Sequence, residues 1–239
     1  MIYFVGAGPG DEKLITVRGA ELLREAEAVL YAGSTVGESV LKWCRPEAVK
    51  ADSRDMTLRE IIDLLSCWGK KYQTIVRLHS GDPSIYSAIG EEIEELKRIG
   101  LGVEVVPGVS AYSALAAKLS MELTIPEITQ TVLITRFPGN TIVPEDLESF
   151  FSQTPASAIY LSGAMFESVL STLKRYYPPD SIFAMGHKIS REGEIIISKR
   201  LGEWTGEEEV PPNLTLFLVR KSGSVRSELY SDKRRRKGA

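Results

Sequence analysis

The chain has 239 residues, of which 43% are hydrophobic and 26% charged, and its net charge is −3 with a pI near 5.6. This composition is that of an ordinary globular protein, with enough chain for one large domain or two of moderate size. The slightly acidic balance excludes a body built as an electrostatic platform for nucleic acid, so no nucleic-acid partner is expected.

In the first half, short apolar runs alternate with amphipathic segments. The predicted strands are Met1–Val5, Val29–Ala32, Thr74–Leu78 and Gly102–Val106. The predicted helices are Val17–Ala26, Val36–Trp43, one that begins at the capping box Thr57–Glu60, Ser87–Ile99 and Ala111–Leu119. Thr16 is placed to cap the first helix. Strands separated by helices predict a mostly parallel sheet.

The second half has a different character, because Glu122–Pro126 shows no helical period and resembles a crossing segment. The strands predicted beyond it are Thr131–Arg136, Ala158–Leu161, Ser181–Met185, Glu194–Lys199 and Leu214–Arg220. The predicted helices are Pro144–Phe151 and Phe166–Arg175. The last two strands have no long helix between them, which indicates an antiparallel or mixed sheet. The pattern therefore predicts the α/β class with two α/β domains, residues 1–122 and 123–222.

Residues 223–239 form a basic tail that contains Lys233–Lys237, and we expect this tail to be disordered and solvated, with a contact to nucleic acid or membrane as the alternative. Cys44 and Cys67 lack a CxxC spacing, and a single disulfide would be unusual for a chain of this size, so a reduced, cytoplasmic location is predicted. The apolar runs are far shorter than the roughly 20 residues of a membrane span, so no membrane partner is expected. No basic region or cleavage site follows Met1, so no signal peptide is expected either.

Chemistry that depends on a metal or on nucleotide hydrolysis has little support in the sequence. The two histidines, His79 and His187, do not form a zinc-type cluster with the cysteines, so no metal is expected. No GxxxxGK[ST] phosphate loop is present. The chain offers no convincing catalytic triad, and its catalytic residues stay unassigned.

A glycine-rich turn follows the first strand, at Gly6–Asp11. The dinucleotide fingerprint needs glycine at the first, third and sixth positions of such a turn, but the sixth position here is Asp11. Pro9 also removes a backbone donor that a pyrophosphate would need. The turn therefore favours a neutral or cationic ligand, although a tight strand-to-helix connection without any ligand remains an alternative.

Two further strands of the first half end in similar loops, Ser80–Tyr86 and Pro107–Tyr112. In an open α/β sheet, ligands bind outside the carboxyl ends of the strands, so three such loops at one edge predict a shared site. Their glycines would let a ligand approach the backbone closely, with Asp82 and Ser110 as polar anchors. The alternative is that three good turns occur there without a ligand.

The order of these motifs resembles the S-adenosylmethionine-dependent tetrapyrrole methylases, from Met1 to about residue 220. Within that family, the chain looks most like the C11-methyltransferases of precorrin-4 or cobalt-precorrin-4. The stretches that carry this resemblance are Tyr31–Ser34, Arg77–Pro83, Glu122–Pro126, Thr129–Arg136 and Gly139–Glu145. The uroporphyrinogen members are less similar, because they carry an aspartate where this chain has Ala32.

The resemblance implies a two-domain fold with S-adenosyl-L-methionine held in the cleft between the domains. The residues it implies for cofactor binding are Pro9, Ser80, Gly81, Asp82, Ile85, Ser110, Ala111, Leu161, Lys188, Pro212 and Thr215. The substrate carries acetate and propionate carboxylates that need basic or polar partners. The candidates for substrate binding are Ser34, Arg54, Tyr112 and Arg136.

The resemblance implies methyl transfer to C11 of a cobalt-precorrin-4-type tetrapyrrole in cobalamin biosynthesis, and by analogy with the family it implies a homodimer. The cofactor's methyl carbon is already activated, so the protein needs chiefly to align it with a ring carbon at about 3–3.5 Å. Methylation of another ring position, diphthine synthesis, and a dimer that binds an adenosine ligand without turnover remain alternatives.

Overall fold

The computed structural model describes residues 1–139 and 141–223. The chain divides into two compact units. Unit 1 comprises Met1–Ala114 and Ile189–Gly193, and unit 2 comprises Leu115–Lys188 and the residues from Glu194 onward. Each unit contains a five-stranded sheet, and the chain as described combines these sheets with helices, which confirms the predicted α/β class. From the sequence, a single domain boundary was predicted near residue 122. The predicted basic tail, apart from Gly223, lies outside the described residues.

The sheet of unit 1 is entirely parallel, as predicted. Its strands are β1 (Ile2–Gly6), β2 (Ala28–Tyr31), β3 (Val49–Asp52), β4 (Ile75–His79) and β5 (Val103–Val106). Their order across the sheet is β3-β2-β4-β1-β5. The strand β1 is therefore central, with β4 on one side and β5 on the other, although these partners lie far along the chain.

Four α-helices follow strands of the first half: α1 (Val17–Glu25), α2 (Leu58–Gly69), α3 (Ile89–Arg98) and α4 (Ala111–Lys118). The Thr16 hydroxyl caps α1 by accepting a hydrogen bond from the Gly19 N–H at 3.1 Å. The predicted capping box at Thr57 and Glu60 is present at the start of α2. The starts of α1 and α2 could thus be predicted from the capping residues in the local sequence.

Two elements of unit 1 differ from the sequence prediction. The segment Glu38–Trp43 is a 3₁₀-helix, whereas an α-helix was predicted over Val36–Trp43. It is short and lacks a side-chain cap, so an α-helical nucleus has little support there. The strand β3 was not predicted, because it is an edge strand of four residues whose first two, Val49 and Lys50, are exposed.

The two faces of the unit 1 sheet have separate apolar cores. Val5, Val76 and Leu78 pack with residues of α1 on one face, and Phe4 and Ile75 pack with residues of α2 on the other. Alternate residues of β4 point to opposite faces, so Arg77 and His79 share the side of Ile75. Burial of both faces explains why the inner strands β1 and β2 are continuously apolar.

Unit 2 has a mixed sheet, as predicted, with the order β6-β7-β10-β8-β9. Its strands are β6 (Val132–Arg136), β7 (Ala156–Tyr160), β8 (Ile182–His187), β9 (Ile195–Arg200) and β10 (Thr215–Arg220). Among the described residues of this unit, the β6–β7 pair is parallel and the other strand pairs are antiparallel. The helices α5 (Leu147–Gln153) and α6 (Phe166–Tyr176) complete the unit. Its core includes the aromatic cluster Phe166, Phe183, Trp204 and Phe217. In the described ranges of both units, no helix is long and apolar enough to cross a bilayer.

Candidate functional site

The three predicted loops lie side by side at the carboxyl edge of the unit 1 sheet. They follow β4, β1 and β5, which are direct neighbours in the strand order. The register places Gly6 opposite His79 and Val5 opposite Val106, so the three strands end at the same level. The structure therefore brings together the loops that the sequence analysis grouped into one site.

A pair of backbone hydrogen bonds joins the loops after β1 and β4. The Gly8 N–H donates to the Gly81 carbonyl at 3.2 Å, and the Gly81 N–H donates to the Gly8 carbonyl at 2.8 Å. Both glycines have positive φ, +74° at Gly8 and +65° at Gly81. A side chain at either position would strain the backbone, so this bridge depends on glycine.

The loop after β5 packs against the other two with no room for a side chain. A Cβ on Gly108 would lie 2.1 Å from the Gly81 carbonyl oxygen and 2.8 Å from the Gly6 Cα. A Cβ on Gly6 would lie 2.6 Å from the Gly108 Cα. From the sequence, these glycines are expected to let a ligand approach the backbone closely. At Gly6 and Gly108, the backbone of a neighbouring loop occupies that space.

Asp82 links the second and third loops through its carboxylate. Its Oδ2 accepts a hydrogen bond from the Gly108 N–H at 2.9 Å, and its Oδ1 accepts one from the Ser84 N–H at 2.8 Å. Burial acts to raise the pKa of Asp82, but these hydrogen bonds outweigh it and hold the pKa below its usual value. Both oxygens of this predicted anchor are therefore engaged within the protein.

The other predicted residues of unit 1 also lie at the carboxyl edge. Ser80 and Ile85 belong to the loop after β4, Ser110 is buried directly before α4, and Ala111 and Tyr112 begin that helix. Pro9 is buried in the first loop, and Ser34 is exposed after β2. Asp11 instead caps the 3₁₀ turn that follows it, by accepting a hydrogen bond from the Lys13 N–H at 2.9 Å.

Two predicted substrate-binding arginines already have partners. The Nε of Arg54, at the end of β3, donates to the Asp52 carboxylate at 2.7 Å, and that carboxylate also accepts the Gly33 N–H. The guanidinium of Arg136, at the end of β6, donates to the carbonyls of Thr141 at 3.2 Å and Ile142 at 2.8 Å. Each side chain thus organises its own loop.

Unit 2 gathers its predicted residues at one edge of its sheet. The end of β7, the end of β8 and the start of β10 adjoin there, because β10 pairs with both of the others. Leu161, Lys188 and Leu214 all have positive φ, at 51°, 47° and 53°. The Lys188 N–H donates to the Leu214 carbonyl at 3.0 Å.

The segment around Pro212 is held on the same edge. The Thr215 hydroxyl donates to the Pro211 carbonyl at 2.6 Å. A Cβ on Gly163, just after Leu161, would lie 2.7 Å from the Pro212 carbonyl oxygen. Strained backbone at non-glycine residues clusters at functional sites, and Leu161 and Lys188 are both in the predicted set.

One further residue at the unit 1 edge was not predicted from the sequence. Arg191, which follows β8, donates from Nε to the Pro9 carbonyl at 3.1 Å and from Nη2 to the Ser80 hydroxyl at 3.1 Å. Nη2 also donates to the Thr35 carbonyl. No spacing or motif joins Arg191 to those residues, so only the three-dimensional structure could identify it.

The sequence profile of the Tetrapyrrole (Corrin/Porphyrin) Methylases matches residues 1–205. The chain therefore belongs to this family, which confirms the resemblance found in its motifs. Its relatives include the Cobalt-precorrin-4 C(11)-methyltransferase of Methanocaldococcus jannaschii, which is 44% identical over 72% of this chain and 67% of that protein. The Precorrin-4 C(11)-methyltransferase of Pseudomonas aeruginosa is 38% identical over 84% of this chain and 81% of that protein.

Solved structures of methyltransferases that act on tetrapyrroles share the fold of this chain. A cobalamin biosynthetic enzyme, cobalt precorrin-4 methyltransferase, superposes with a TM-score of 0.82 at 33% identity and covers 92% of this chain and 94% of that one. The uroporphyrin-III C-methyl transferase of Thermus thermophilus, complexed with S-adenyl homocysteine, has a TM-score of 0.75 at 31% identity, with 92% and 91% coverage.

Proposed function

We propose that this chain is an S-adenosylmethionine-dependent methyltransferase that methylates C11 of cobalt-precorrin-4 or precorrin-4 in cobalamin biosynthesis. The observation that carries this proposal is its similarity to proteins of that activity. The relatives from Methanocaldococcus jannaschii and Pseudomonas aeruginosa are 44% and 38% identical and are matched over 67% and 81% of their lengths. A cobalt precorrin-4 methyltransferase also shares the fold at a TM-score of 0.82.

The loops of unit 1 fit a methyl donor that carries a sulfonium and no phosphate. Pro9 offers no N–H, and the N–H groups of Gly8 and Gly81 already donate to carbonyls within the protein, so these loops leave a pyrophosphate few backbone donors. We propose that Pro9, Ser80, Gly81, Ile85, Ser110 and Ala111 contact the cofactor. Asp82 holds the loops after β4 and β5 in the arrangement that receives it.

In unit 2, we assign cofactor contacts to Leu161, Lys188, Pro212 and Thr215, which adjoin at one sheet edge. Ser34, Arg54, Tyr112 and Arg136 are the proposed contacts to the tetrapyrrole. Because Arg54 and Arg136 already make internal hydrogen bonds, they would act with part of their guanidinium groups only. Most contacts to the substrate would accordingly come from the loops that Arg54 and Arg136 organise.

The chemistry asked of the protein is alignment and shielding. Bound S-adenosylmethionine supplies an electrophilic methyl group, and the reduced macrocycle supplies an electron-rich carbon, so no nucleophile from the protein is required. The rigid loop contacts at Gly6, Gly81 and Gly108 fix the backbone groups that would orient the donor. Preorganisation of this kind lowers the barrier because the loops do not have to be ordered during the reaction.

Methylation of uroporphyrinogen-III is the second candidate. The Uroporphyrinogen-III C-methyltransferase of Synechocystis is 43% identical, but over 52% of this chain and 49% of that protein. The solved uroporphyrin-III enzyme also has the lower TM-score, 0.75 against 0.82. The longer and closer matches therefore favour C11 of precorrin-4. We further propose a homodimer in the cytoplasm, on the analogy of the family and the absence of a CxxC pair.

The test is incubation with methyl-labelled S-adenosylmethionine and, separately, cobalt-precorrin-4, precorrin-4 and uroporphyrinogen-III, followed by mass spectrometry. A labelled product from either precorrin-4 form, with the label on C11 by NMR, is the expected result. Labelled uroporphyrinogen product alone would move the chain to the second candidate. Measurable cofactor binding without any labelled product would overturn the enzyme assignment.

A matched pair of glycine variants tests whether turnover uses the proposed loops. Gly108→Val places a side chain between the loops, whereas a Cβ on Gly90 in α3 meets nothing within 4 Å. We expect the first variant to lose labelled product and Gly90→Ala to keep it. Equal activity of the two would place the methyl-transfer site elsewhere. Sedimentation of the purified chain checks the proposed homodimer.

A further inference from the structure

Arg191 lies in the segment Ile189–Gly193, which follows β8 in the sequence but belongs to unit 1. Its side chain crosses the ends of three loops: those after β1, β2 and β4. The acceptors are the carbonyls of Pro9 and Thr35 and the hydroxyl of Ser80. A Cβ on Gly10 would lie 2.2 Å from the Arg191 Cγ, so the stem of the side chain packs directly on the first loop. The guanidinium is therefore fixed in place.

The charge of Arg191 has no counter-ion in the described parts of the chain. All three of its acceptors are neutral oxygens. Several arginines of unit 1, although not all of them, have carboxylate partners: Arg54 pairs with Asp52 at 2.7 Å, Arg77 with Glu92 at 2.9 Å, and Arg98 with Glu95 at 2.6 Å. Arg191 is thus a positively charged group held among neutral dipoles.

Partial burial makes this unpaired charge significant. Loss of hydration lowers the pKa of the Arg191 guanidinium below its usual value, although an arginine keeps its proton in proteins. A charge removed from water is costly unless it is paired and hydrogen-bonded. The neutral acceptors satisfy the Nε and Nη2 donors, and within residues 1–139 and 141–223 no hydrogen bond uses Nη1. The positive charge of Arg191 and the two N–H donors of its Nη1 are therefore available to a ligand.

The chemistry that completes such a site is a carboxylate. The unused N–H groups of Nη1 belong to a charged guanidinium, so a carboxylate oxygen that accepts from Nη1 forms a charge-assisted hydrogen bond and supplies the missing counter-charge. Both ligands of the proposed reaction carry this group. The methyl donor has one at its methionine end, and the tetrapyrrole has them on its acetate and propionate side chains.

We propose that Arg191 is a carboxylate-binding residue of this site, held for that purpose by Pro9, Thr35 and Ser80. The proposal rests on the proposed function for the identity of the ligands. It gives the loop edge a fixed positive charge, supplied from a distant part of the sequence. Removal of the charge should weaken binding of the ligand that contributes the carboxylate and leave other ligands unaffected.

The test compares wild type with Arg191→Gln and Arg191→Lys. Calorimetry measures the affinity for S-adenosylhomocysteine, which has the methionine carboxylate, and for 5′-methylthioadenosine, which lacks it. Steady-state kinetics with cobalt-precorrin-4 then separate KM from kcat. Arg98→Gln, an exposed arginine of α3 in the same unit, is the control, and thermal unfolding reports on the integrity of every variant.

Two results support the proposal and identify the source of the carboxylate. A loss of about tenfold or more in S-adenosylhomocysteine affinity in Arg191→Gln, with 5′-methylthioadenosine unchanged, points to the methyl donor. Unchanged affinity for both, with KM for cobalt-precorrin-4 raised about tenfold or more and kcat retained, points to the tetrapyrrole. In either case Arg191→Lys should recover part of the loss, because it keeps the charge.

Other results overturn it. Equal losses for S-adenosylhomocysteine and 5′-methylthioadenosine, with a lower unfolding temperature and no recovery in Arg191→Lys, would show that Arg191 only positions the loops. No change in either affinity or in KM would exclude a role in binding. If wild type does not turn over cobalt-precorrin-4, the proposed function fails, and the calorimetric pair alone decides whether Arg191 binds the methionine carboxylate.

Discussion

The carboxylate of Asp82 and the backbone N–H of Gly108 are 2.9 Å apart, and this hydrogen bond ties the loop after β4 to the loop after β5. The second oxygen of Asp82 accepts the Ser84 N–H, so the same side chain also shapes its own loop. The loop motif predicts Asp82 to be a polar anchor for the ligand, but in the structure Asp82 links two loops. Substitution of Asp82 should therefore weaken ligand binding indirectly, by disturbing the two loops.

Asp82→Asn should weaken both folding and cofactor binding. The amide replaces one acceptor oxygen by an NH₂ group, which leaves one backbone N–H without an acceptor, at roughly 1–3 kcal/mol. Urea unfolding measures the free energy, and calorimetry measures S-adenosylhomocysteine affinity. Asp63→Asn, on the exposed face of α2, is the control. A loss of affinity without any loss of stability would instead indicate direct contact between Asp82 and the ligand.

The same variant should change the response to acid. The pKa of folded Asp82 is below its usual value, so its contribution to stability is complete above the unfolded pKa of about 3.9. The contribution is lost as the pH falls through the folded value. Asp82→Asn should therefore show a smaller decline of unfolding free energy at acidic pH than wild type does.

Gly108→Ala should destabilise unit 1, because the new Cβ would lie 2.1 Å from the Gly81 carbonyl oxygen. Backbone atoms on both sides prevent easy relaxation, so we expect a loss of about 1–3 kcal/mol and weaker S-adenosylhomocysteine binding. Gly90→Ala adds the same methyl group in α3, where nothing lies within 4 Å, and should stabilise the helix by up to about 1 kcal/mol. Opposite signs in denaturant titration would support the packing argument, and equal signs would contradict it.

His79 should make the protein less stable as the pH falls from neutral. Burial and, secondarily, the charge of Arg77 lower its pKa to about 3, against an ordinary value of 6.5. Below pH 6.5 the unfolded chain binds a proton that the folded chain does not, so the free energy of unfolding falls by up to about 1.4 kcal/mol per pH unit until the folded pKa is reached.

His79→Phe isolates this contribution. Phenylalanine retains a ring where His79 stacks on Phe4, with centroids 5.6 Å apart, and it removes the Nε2 that has no hydrogen-bond partner in the described structure. Urea unfolding of both proteins between pH 7 and pH 5 should show the advantage of the variant growing as the pH falls. Parallel profiles would contradict the lowered pKa.

Arg77 and Glu92 form a bidentate ion pair that is almost completely buried. Arg77 also donates to the Ser53 hydroxyl at 2.8 Å. Arg77→Met or Glu92→Leu alone should cost about 3–5 kcal/mol, because each leaves a buried charge unpaired. The double variant should cost much less than the sum of the two single costs. Additive losses in a double-mutant cycle would show that packing, and not charge, dominates at this position.

The loops of the site could be predicted because their signals are local. Glycine, proline and aspartate at Gly6–Asp11, Ser80–Tyr86 and Pro107–Tyr112 mark strand ends, and parallel strands place those ends at one edge. The physical role of Gly6 and Gly108 could not be predicted in this way. Their close contact arises from the strand order β4-β1-β5, which the local sequence does not encode.

Other features depend on residues that are distant in the chain. Nothing in the spacing of Arg191 relates it to Pro9 or Ser80, and its contacts follow only from the path of the chain after β8. Leu161, Lys188 and Leu214 have positive φ although leucine and lysine do not favour it, so their conformation is imposed by neighbouring backbone. The edge strand β3 was missed because half of its residues are exposed and its pattern is short.

The late position of Arg191 has a consequence for synthesis of the chain. All five strands of the unit 1 sheet have been translated by Val106, but the side chain that joins the ends of three of its loops arrives only with the segment Ile189–Gly193. A nascent chain can therefore complete this sheet well before it completes the loop edge. A ribosome-bound chain that ends before Ile189 should contain the parallel sheet and lack this cross-link, so the loop edge is completed only after this segment has been synthesised.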